Sequence, residues 1–395
     1  MEEPPQKKSR STDPVELEND KIQNCEILLD SSPHLNYDIL RIVFRYLKAK
    51  DLANAAKVSR IWLEAANKEK RTRGPEYTIR SFTRGLIQEY LEPAWIEPSV
   101  GLYFITGLFD DEFVKNVQEG TVRLPRNYDS IILRISGIIV DDIEMESCSY
   151  SHNQILSAYL PRIPNVQIST LIIPYGTLIV HQKERLTTRM TTLLNCIDKP
   201  SKQSDENSLC LMLFCDLDSR EKAFTIISIL KASCRNKRVS VWGGVVNRLH
   251  VKQANKSFPS ISLNRQITVV AISGRMQSWS VVVDVKYKTK QQVEEKLKVF
   301  KDQVRLKKHS MGFMFACRAR GQNMYNEERN VESTIFKRLF PKVPLVGCFG
   351  DGEFGTDSIS VEQKKSKKNS THSNCSSNKN WYNEFSTVFM ILTYD

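Results

Sequence analysis

The chain has 395 residues, of which 57 are Lys or Arg and 45 are Asp or Glu, so its formal net charge is +12 at neutral pH. A chain of this length can bury two or three hydrophobic cores, and the expected layout is one small module followed by a larger globular region. The sequence contains no run of eighteen apolar residues, so we expect no membrane-spanning helix, and its polar N-terminal segment lacks the apolar stretch of a signal peptide.

The excess of positive charge does not by itself predict a nucleic-acid-binding protein. None of the basic runs alternates with aromatic residues as a single-strand platform would, and no recognition-helix or finger motif occurs. We interpret these runs as solvated surface and expect no nucleic-acid partner. They lie at 7–10, 68–73, 305–309 and 364–368.

The nine cysteines are scattered, with no C-x-x-C pair and no spacing typical of zinc ligands. Several lie inside apolar segments, where Cys behaves as a small hydrophobic residue. A reducing compartment fits this usage, and we expect a cytoplasmic and nuclear protein. The sequence predicts no metal site and no cofactor.

Residues 1–22 are charged and proline-bearing and are predicted to be disordered. Three short helices are predicted within 30–72. The first presents one broad apolar face made of Ile39, Leu40, Val43, Phe44 and Leu47. The second is predicted to be capped by Asp51, and the third carries apolar residues at helical steps, namely Val58, Ile61, Trp62 and Ala65. A module of about forty residues buries too little surface to be stable alone, so another part of the chain or another protein must cover part of its apolar face.

The order of residues in this module resembles the F-box, the docking module for a Skp-type adaptor. The residues that follow the family pattern are Leu35, Ile39, Leu40, Val43, Phe44, Tyr46, Leu47, Asp51, Leu52, Val58 and Trp62. The sequence departs from the pattern at Asn36, where the family usually has proline, although Asn is also a good helix cap. The resemblance implies an adaptor-binding set of Leu35, Ile39, Leu40, Val43, Phe44, Leu47, Leu52, Val58 and Trp62. The alternative is a three-helix cap on the following domain.

From Glu76 the pattern changes to strands alternating with helices. The chain is therefore predicted to be α+β, with a three-helix module followed by a larger mixed α/β body. We expect an N-terminal part of the body at 76–200, a C-terminal part at 205–395, and a flexible loop at 362–383. Buried strands are predicted at 102–105, 130–135, 169–173, 209–215, 239–242, 267–273, 280–285, 311–317, 343–349 and 386–393. Helices are predicted at 219–234, 290–307 and 330–340.

Two stretches of the body, 209–247 and 311–355, look like versions of one unit. Each has an apolar strand, an Arg-bearing loop, a helix, a second apolar strand and a glycine-rich turn. This order predicts a pseudo-symmetric body with the two turns at equivalent strand ends. In the second stretch, GFMFACRARG and FPKVPLVGCFGDGEFG resemble the C-terminal part of a FIST region, a proposed sensory and signal-transduction domain.

The turn GCFGDGEFG is the candidate site for a ligand or substrate. Its glycines permit positive φ and a close approach of backbone to a bound group. Because parallel strands of such a unit end at one edge, we expect the charges of the turn and of the preceding Arg loop to converge. They would either bracket a small ligand or pair as a structural clamp. The candidate residues are Cys317, Arg318, Arg320, Gly321, Gly350, Asp351, Gly352, Glu353, Gly243 and Gly244.

No catalytic residues are predicted. Arginine next to Cys317 would lower the pKa of its thiol, but no histidine lies near it in sequence to act as a base, so an inert thiol is favoured. The acidic clusters at 110–113 and 141–146 lack metal-ligand spacing and are interpreted as solvated faces.

The predicted function is that of a non-catalytic adaptor. The resemblance implies that the F-box binds a Skp-type adaptor and, through it, cullin and RING subunits. The FIST-like body would recruit a protein substrate for ubiquitination and proteasomal degradation. The alternatives are a sensor whose FIST-like pocket binds a small molecule and regulates degradation and, more weakly, a thiol-dependent hydrolase.

Overall fold

The computed structural model describes residues 36–81, 93–107, 125, 127–146, 154–174, 187–188, 190–191, 208–234, 238–254, 266–358 and 381–395. The chain divides into two compact units, Met1–Glu69 and Lys70–Asp395. No described helix is long and apolar enough to cross a membrane. The predictions for 1–22, for Leu35, for the acidic cluster at 110–113 and for most of the loop at 362–383 lie outside the described residues.

The first unit contains the predicted helices. They are α1 Tyr37–Phe44, α2 Ala49–Ala55 and α3 Arg60–Thr72, which continues into the second unit. The predicted cap of α1 is confirmed, because the Asn36 side chain accepts the backbone N–H of Ile39 at 2.9 Å. The predicted cap of α2 is wrong: α2 begins after Lys48, and Asp51 lies inside its first turn. An acidic side chain at that position still interacts favourably with the helix dipole.

The second unit combines strands with three further helices, α4 Arg220–Ser233, α5 Lys290–Lys301 and α6 Val331–Leu339. Its strands are β1 Glu76–Ser81, β2 Pro98–Ile105, β3 Asp129–Arg134, β4 Gly137–Val140, β5 Ile143–Glu146, β6 Gln154–Pro161, β7 Val166–Pro174, β8 Leu209–Asp216, β9 Val239–Val246, β10 Arg248–Lys252, β11 Gln266–Gly274, β12 Gln277–Val283, β13 His309–Cys317, β14 Leu345–Gly350, β15 Glu353–Gly355, β16 Tyr382–Asn383 and β17 Thr387–Tyr394. All ten predicted strands are present, within a few residues at their ends, as are the three predicted helices. Helix α5 ends six residues earlier than predicted, and the chain beyond it runs beside β17, where the Lys307 N–H donates to Thr393 Oγ1 at 2.7 Å.

The strands form three sheets that repeat one arrangement. Read from one side, the sheets run β10-β3-β2-β6-β1, β15-β9-β8-β11-β7 and β4-β14-β13-β17-β12, with β16 and β5 extending the second and third. In each sheet the second and third strands are parallel and every other pairing is antiparallel. The prediction of two equivalent strand–helix–strand units is confirmed, and the structure adds a third copy, formed by β1 to β6. The predicted equivalence of the two glycine-rich turns is wrong, because Gly243 and Gly244 lie inside β9 and not at its end.

The three copies exchange strands in a closed ring. In each sheet, the strand named first above comes from another copy. Strand β10, which follows β9 of the second copy, lies in the first sheet; β15, which follows β14 of the third copy, lies in the second sheet; and β4, which follows β3 of the first copy, lies in the third sheet. One backbone N–H at each crossing donates to a carbonyl of the receiving sheet at 3.0–3.1 Å: Ser136 to Phe349, Asn247 to Arg134, and Asp351 to Val245. No copy therefore completes its own sheet.

One face of each sheet contributes to a shared hydrophobic core. Phe104 comes from the first sheet, Phe214 and Trp242 from the second, and Phe313 and Phe315 from the third, and all five are buried. The Trp242 ring lies edge-on to Phe214 with 5.6 Å between centroids. The opposite face of the second sheet packs against α4, and that of the third against α5 and α6.

Candidate functional site

Helix α1 has two apolar stripes instead of one broad face. The first stripe packs inside the three-helix module, where Leu40 and Phe44 are buried with Leu52, Ala65 and Ala66. The Trp62 ring packs edge-on against Phe44 with 5.4 Å between centroids. These side chains hold the module together.

The second stripe of α1 is open to solvent. Ile39, Ile42 and Val43 lie on this side of α1, and Tyr46, two residues past its end, continues the same helical spacing and is 78% exposed. Val58, just before α3, and Ile61, in its first turn, are also more than half exposed. Such a concentration of exposed apolar side chains on a small module is typical of a protein-binding surface.

The predicted adaptor-binding set therefore falls into different environments. Leu40, Phe44 and Leu52 are interior, while Leu47 and Trp62 are partly buried against them. Ile39, Val43 and Val58 are exposed and available for contact. The set omitted Ile42, Tyr46 and Ile61. Helical spacing could have found them, since the apolar residues of α1 occupy two sides of the helix.

At the glycine-rich turn, the predicted convergence of strand ends is confirmed. Strands β13 and β14 are parallel, and Cys317 lies directly opposite Gly350. The Arg318 guanidinium contacts the Asp351 carboxylate at 2.6 Å across the two strand ends. For this pair, the geometry is that of the predicted clamp.

Arg320 lies in the interior and does not join the Arg318–Asp351 pair. Its guanidinium is buried, its Nε donates to Glu332 Oε1 at 2.8 Å, and it also reaches Tyr325 and the carbonyls of Asp284, Tyr287 and Phe385. Residues Arg318–Arg320 form a 3-10 turn, with three residues per turn, so side chains two positions apart point in different directions.

Glu353 is also interior. Its carboxylate accepts the Ser386 N–H at 3.0 Å and the Ser386 hydroxyl at 2.7 Å. Burial raises the pKa of Glu353 to about 8, against the opposing effect of the Ser386 hydrogen bonds. The Cys317 thiol hydrogen-bonds to this carboxylate and the positive charge of Arg320 acts on it, so these three predicted residues do converge in the interior, while Arg318 and Asp351 form a separate pair.

The Cys317 thiol is less acidic than an ordinary cysteine thiol, so it is not an activated nucleophile. Burial and the nearby Glu353 carboxylate raise the pKa of this thiol to about 11, whereas the sequence predicted lowering by adjacent arginine. The thiol is therefore protonated at neutral pH.

The glycines of the candidate site make room for protein groups. A Cβ on Gly244 or on Gly350 would lie within about 2.5 Å of the Phe315 ring, and one on Gly321 would meet the Glu146 carboxylate at 2.2 Å. Gly243 and Gly352 have φ of 136° and 138°, which L-residues with a Cβ rarely adopt. In the glycine-rich turn the chain passes from β14 of the third sheet to β15, which pairs with β9 of the second sheet.

The acidic run at 141–146 is not a solvated face, contrary to the prediction. Asp141 accepts Lys337 Nζ at 2.9 Å, Glu144 accepts the Ser333 N–H at 2.7 Å, and Glu146 accepts the Gln322 N–H at 2.7 Å. Burial raises the pKa of Glu144 to about 7. Glu144 and Glu146 lie two residues apart on β5 and therefore point to one face of the sheet, toward α6 and the loop before it, whereas Asp141 precedes β5.

Among the residues that the structure describes, no three His, Cys, Asp or Glu side chains form a group that could hold a metal ion.

Comparison with known proteins identifies an F-box domain at residues 33–73. A 117-residue segment is 32% identical to F-box only protein 22 of Homo sapiens and of Pongo abelii, and it spans 30% of this chain and 29% of each relative. Among solved structures, a cyanuric acid hydrolase from A. caulinodans has a TM-score of 0.32 and 7% identity, over 81% of this chain and 99% of that one. A likeness that weak supports no inference about activity. The FIST resemblance stays a prediction.

Proposed function

We propose that this chain, through the F-box domain at residues 33–73, is the substrate-recognition subunit of a Skp–cullin–F-box ubiquitin ligase. The F-box binds a Skp-type adaptor, which connects the chain to cullin and RING subunits. The larger unit recruits a protein substrate for ubiquitination and proteasomal degradation. Ubiquitin transfer is the chemistry of other subunits, so this chain supplies binding surfaces.

The observation that carries the proposal is the exposed stripe of α1. The buried stripe forms the interior of the module, and Ile39, Ile42, Val43 and Tyr46 lie outside that core. Removing apolar surface from water stabilises a complex by about 25 cal/mol per Å². A partner that covers this stripe explains why the sequence keeps it apolar.

The experiment is adaptor binding by a charged variant of the stripe. Val43→Glu places a carboxylate on an exposed position, so the module should stay folded while a desolvated, unpaired charge weakens the interface. We expect pull-down of a purified Skp-type adaptor by the full chain to fall at least about tenfold. Lys50→Glu, at an exposed position of α2, is the matched control and should bind normally. Wild-type binding by Val43→Glu would contradict the proposal.

Substrate recruitment is tested with the same variant. Proteins that co-purify equally with the wild type and with Val43→Glu, but are ubiquitinated only when the wild type is present, behave as substrates of an adaptor-linked receptor. If no protein depends on adaptor binding for its ubiquitination, the receptor function is refuted even when the adaptor binds.

A further inference from the structure

An open groove lies between helix α4 and β16, the edge strand of the second sheet, and we call it the α4–β16 groove. The rings of Phe224 and Tyr382 pack edge-on in its wall, with 4.8 Å between their centroids. Ile227, Ser228 and Lys231 of α4 line the rest, and the cavity has a volume of about 250 Å³. Sites for small molecules are usually larger and more enclosed, so this volume suits one or two side chains of a partner protein.

Helix α4 presents a second side to this groove. Ile226 and Leu230 belong to the stripe that packs into the core of the second sheet. Phe224, Ser228 and Lys231 follow one another at four- and three-residue steps on a neighbouring side of the helix, and Phe224 is 39% exposed. The groove therefore combines an exposed aromatic wall with one cation toward the C-terminal end of α4.

Strand β16 brings an open backbone edge to the same groove. The Trp381 carbonyl accepts the Gly355 N–H at 2.8 Å, and Tyr382 lies opposite Phe354 of β15. Because backbone groups of successive residues point to opposite edges of an antiparallel strand, the N–H and C=O of Tyr382 point away from β15. Neither of these two groups forms a hydrogen bond with a residue that the structure describes. Such an edge can be extended by a strand of another chain.

The edge of the third sheet shows that this protein covers a strand edge elsewhere. On β12, the Ser280 N–H donates to Ser358 Oγ and the Val282 N–H donates to Asp357 Oδ1, both at 2.8 Å. Proteins usually cover or blunt such edges, because uncovered ones pair with other chains. The backbone of Tyr382 is left open beside a cavity, which is the arrangement that peptide-binding domains use when they add a strand next to a helix.

Spacing and charge indicate which peptide fits. A strand added to β16 directs every second side chain toward α4, and such side chains are about 6.7 Å apart. Ile227 and Lys231 are about 6 Å apart along the helix axis, at 1.5 Å per residue. An apolar side chain between Phe224 and Tyr382 therefore places the side chain two residues away near Lys231, where a carboxylate complements the charge of the ammonium group.

We propose that the α4–β16 groove binds an extended segment of a partner protein, which pairs with the Tyr382 backbone as an added strand. The segment carries an apolar residue and, two positions away, an acidic residue. This inference deepens the proposed function, on which the role of the groove as a substrate-recognition surface rests. Binding of the segment itself needs no adaptor and is measured separately.

The test uses the purified full chain and a library of ten-residue peptides, each with a central Leu or Phe and with Asp, Lys or Ala two positions away. We expect wild type to prefer the Asp members. Ser228→Trp fills the groove from an exposed position and should lower affinity for them at least about tenfold. Thr225→Trp, at an exposed position of α4 outside the groove, is the matched control and should bind as wild type. Lys231→Glu should shift the preference from Asp to Lys members.

Strand pairing is tested by methylating one backbone nitrogen at a time in the best peptide. Methylation of a residue whose N–H faces β16 should lower affinity at least about tenfold, whereas methylation of its neighbours, whose N–H groups point to the other edge, should change it little. Equal affinities for all methylated peptides would overturn the added strand.

Equal binding of Asp and Lys members by wild type would overturn the proposal, as would full binding by Ser228→Trp. A dimer of the chain that Ser228→Trp abolishes would overturn it in favour of a second copy as the occupant. Thermal unfolding of each variant separates lost binding from lost folding, and the changed preference of Lys231→Glu carries the test if Ser228→Trp unfolds. Val43→Glu should bind the peptides as wild type, so a failure of adaptor docking is distinguished from a failure of the groove.

Discussion

At the residue scale, Arg320 is a charged side chain whose contacts all stabilise the fold. Its guanidinium is fully buried and joins Glu332, Tyr325 and three backbone carbonyls that come from the loop after β12 and the segment before β17. In a dry interior, an ion pair contributes little beyond its desolvation cost, but a lone charge is very costly. Arg320 therefore has a structural role in the interior, and Asp351 pairs with Arg318 instead.

Arg320→Met should destabilise the protein by about 3–5 kcal/mol, because it leaves the Glu332 carboxylate buried without its cation. Arg318→Met should cost less than about 1 kcal/mol, since the Arg318 side chain is 61% exposed and its ion pair with Asp351 is screened by solvent. Denaturant unfolding of the two variants gives the comparison. Equal losses would show that the burial of Arg320 does not matter. The double variant Arg320→Met, Glu332→Leu should regain part of the stability lost in the single one.

Gly352 is the residue at which the backbone of the turn demands glycine. Its φ is 138°, and a Cβ there would lie 2.9 Å from the Tyr382 hydroxyl oxygen and 3.0 Å from the Tyr382 ring. Gly352→Val should lower the free energy of unfolding by about 1–3 kcal/mol through backbone strain. Asp351→Ala, at the neighbouring position, should cost less. Thermal melts compare the two, and an unchanged midpoint for Gly352→Val would contradict the expected strain.

Glu353 should make stability depend on pH. Its pKa is about 8 in the folded protein and lies near 4.5 for an ordinary Glu. The folded state therefore holds a proton that the unfolded state has released, so stability from this group is full below about pH 4.5 and is lost as the pH rises toward 8. Glu353→Gln should flatten the fall in unfolding free energy between those pH values. Denaturant unfolding at pH 5 and pH 8 provides the measurement, and an unchanged slope would contradict the raised pKa.

At the scale of elements, α1 divides its apolar residues between folding and binding. The stripe that contains Leu40 and Phe44 is inside the module, and the stripe that contains Val43 faces solvent. The sequence located the helix because its apolar residues recur with helical spacing. The sequence could not distinguish the buried stripe from the exposed one, because burial depends on where α2 and α3 pack.

Leu40→Ala should cost about 2–5 kcal/mol of module stability because it opens a cavity beside Phe44. Val43→Ala, on the exposed stripe, should change stability by less than about 0.5 kcal/mol. Amide hydrogen exchange over 37–72 reports the two effects. Similar exchange in both variants would contradict the division of the helix. Val43→Ala should nevertheless weaken adaptor binding, which the buried-core variant affects only through folding.

At the scale of the whole molecule, the exchanged strands make the three copies of the second unit depend on one another. The third sheet needs β4 from the first copy, the first needs β10 from the second, and the second needs β15 from the third. Cooperative unfolding follows, because removing any copy leaves an open sheet edge and an uncovered part of the shared core.

A chain of residues 76–395 should unfold in a single transition, whereas the third copy alone, 277–395, should not fold. The isolated copy lacks β4 beside β14 and the apolar faces opposite Phe313 and Phe315. Circular dichroism and denaturant titration of the two chains test this. Separate transitions in 76–395, or a cooperative transition in 277–395, would show that the copies are independent.

The sequence by itself determined the three-helix module, ten of the seventeen strands that the structure describes, and the likeness between 209–247 and 311–355. Each depends on short-range periodicity, which local backbone geometry imposes. The strands that it missed are mostly short or lie at sheet edges, such as β4, β10 and β15, where a few residues carry little pattern.

Only the tertiary structure decided which of these residues meet. It showed a third copy, placed Arg320 and Glu353 in the interior, and packed the Phe315 ring against the glycines of the glycine-rich turn. The hydrogen bonds of Arg320 with Glu332 and of Ser386 with Glu353 join positions 12 and 33 residues apart along the chain. The exchange of β4, β10 and β15 between copies is likewise decided by tertiary packing. Residue order along the chain carries no direct trace of such exchange, because the same local pattern permits a strand to complete its own sheet or a neighbour's.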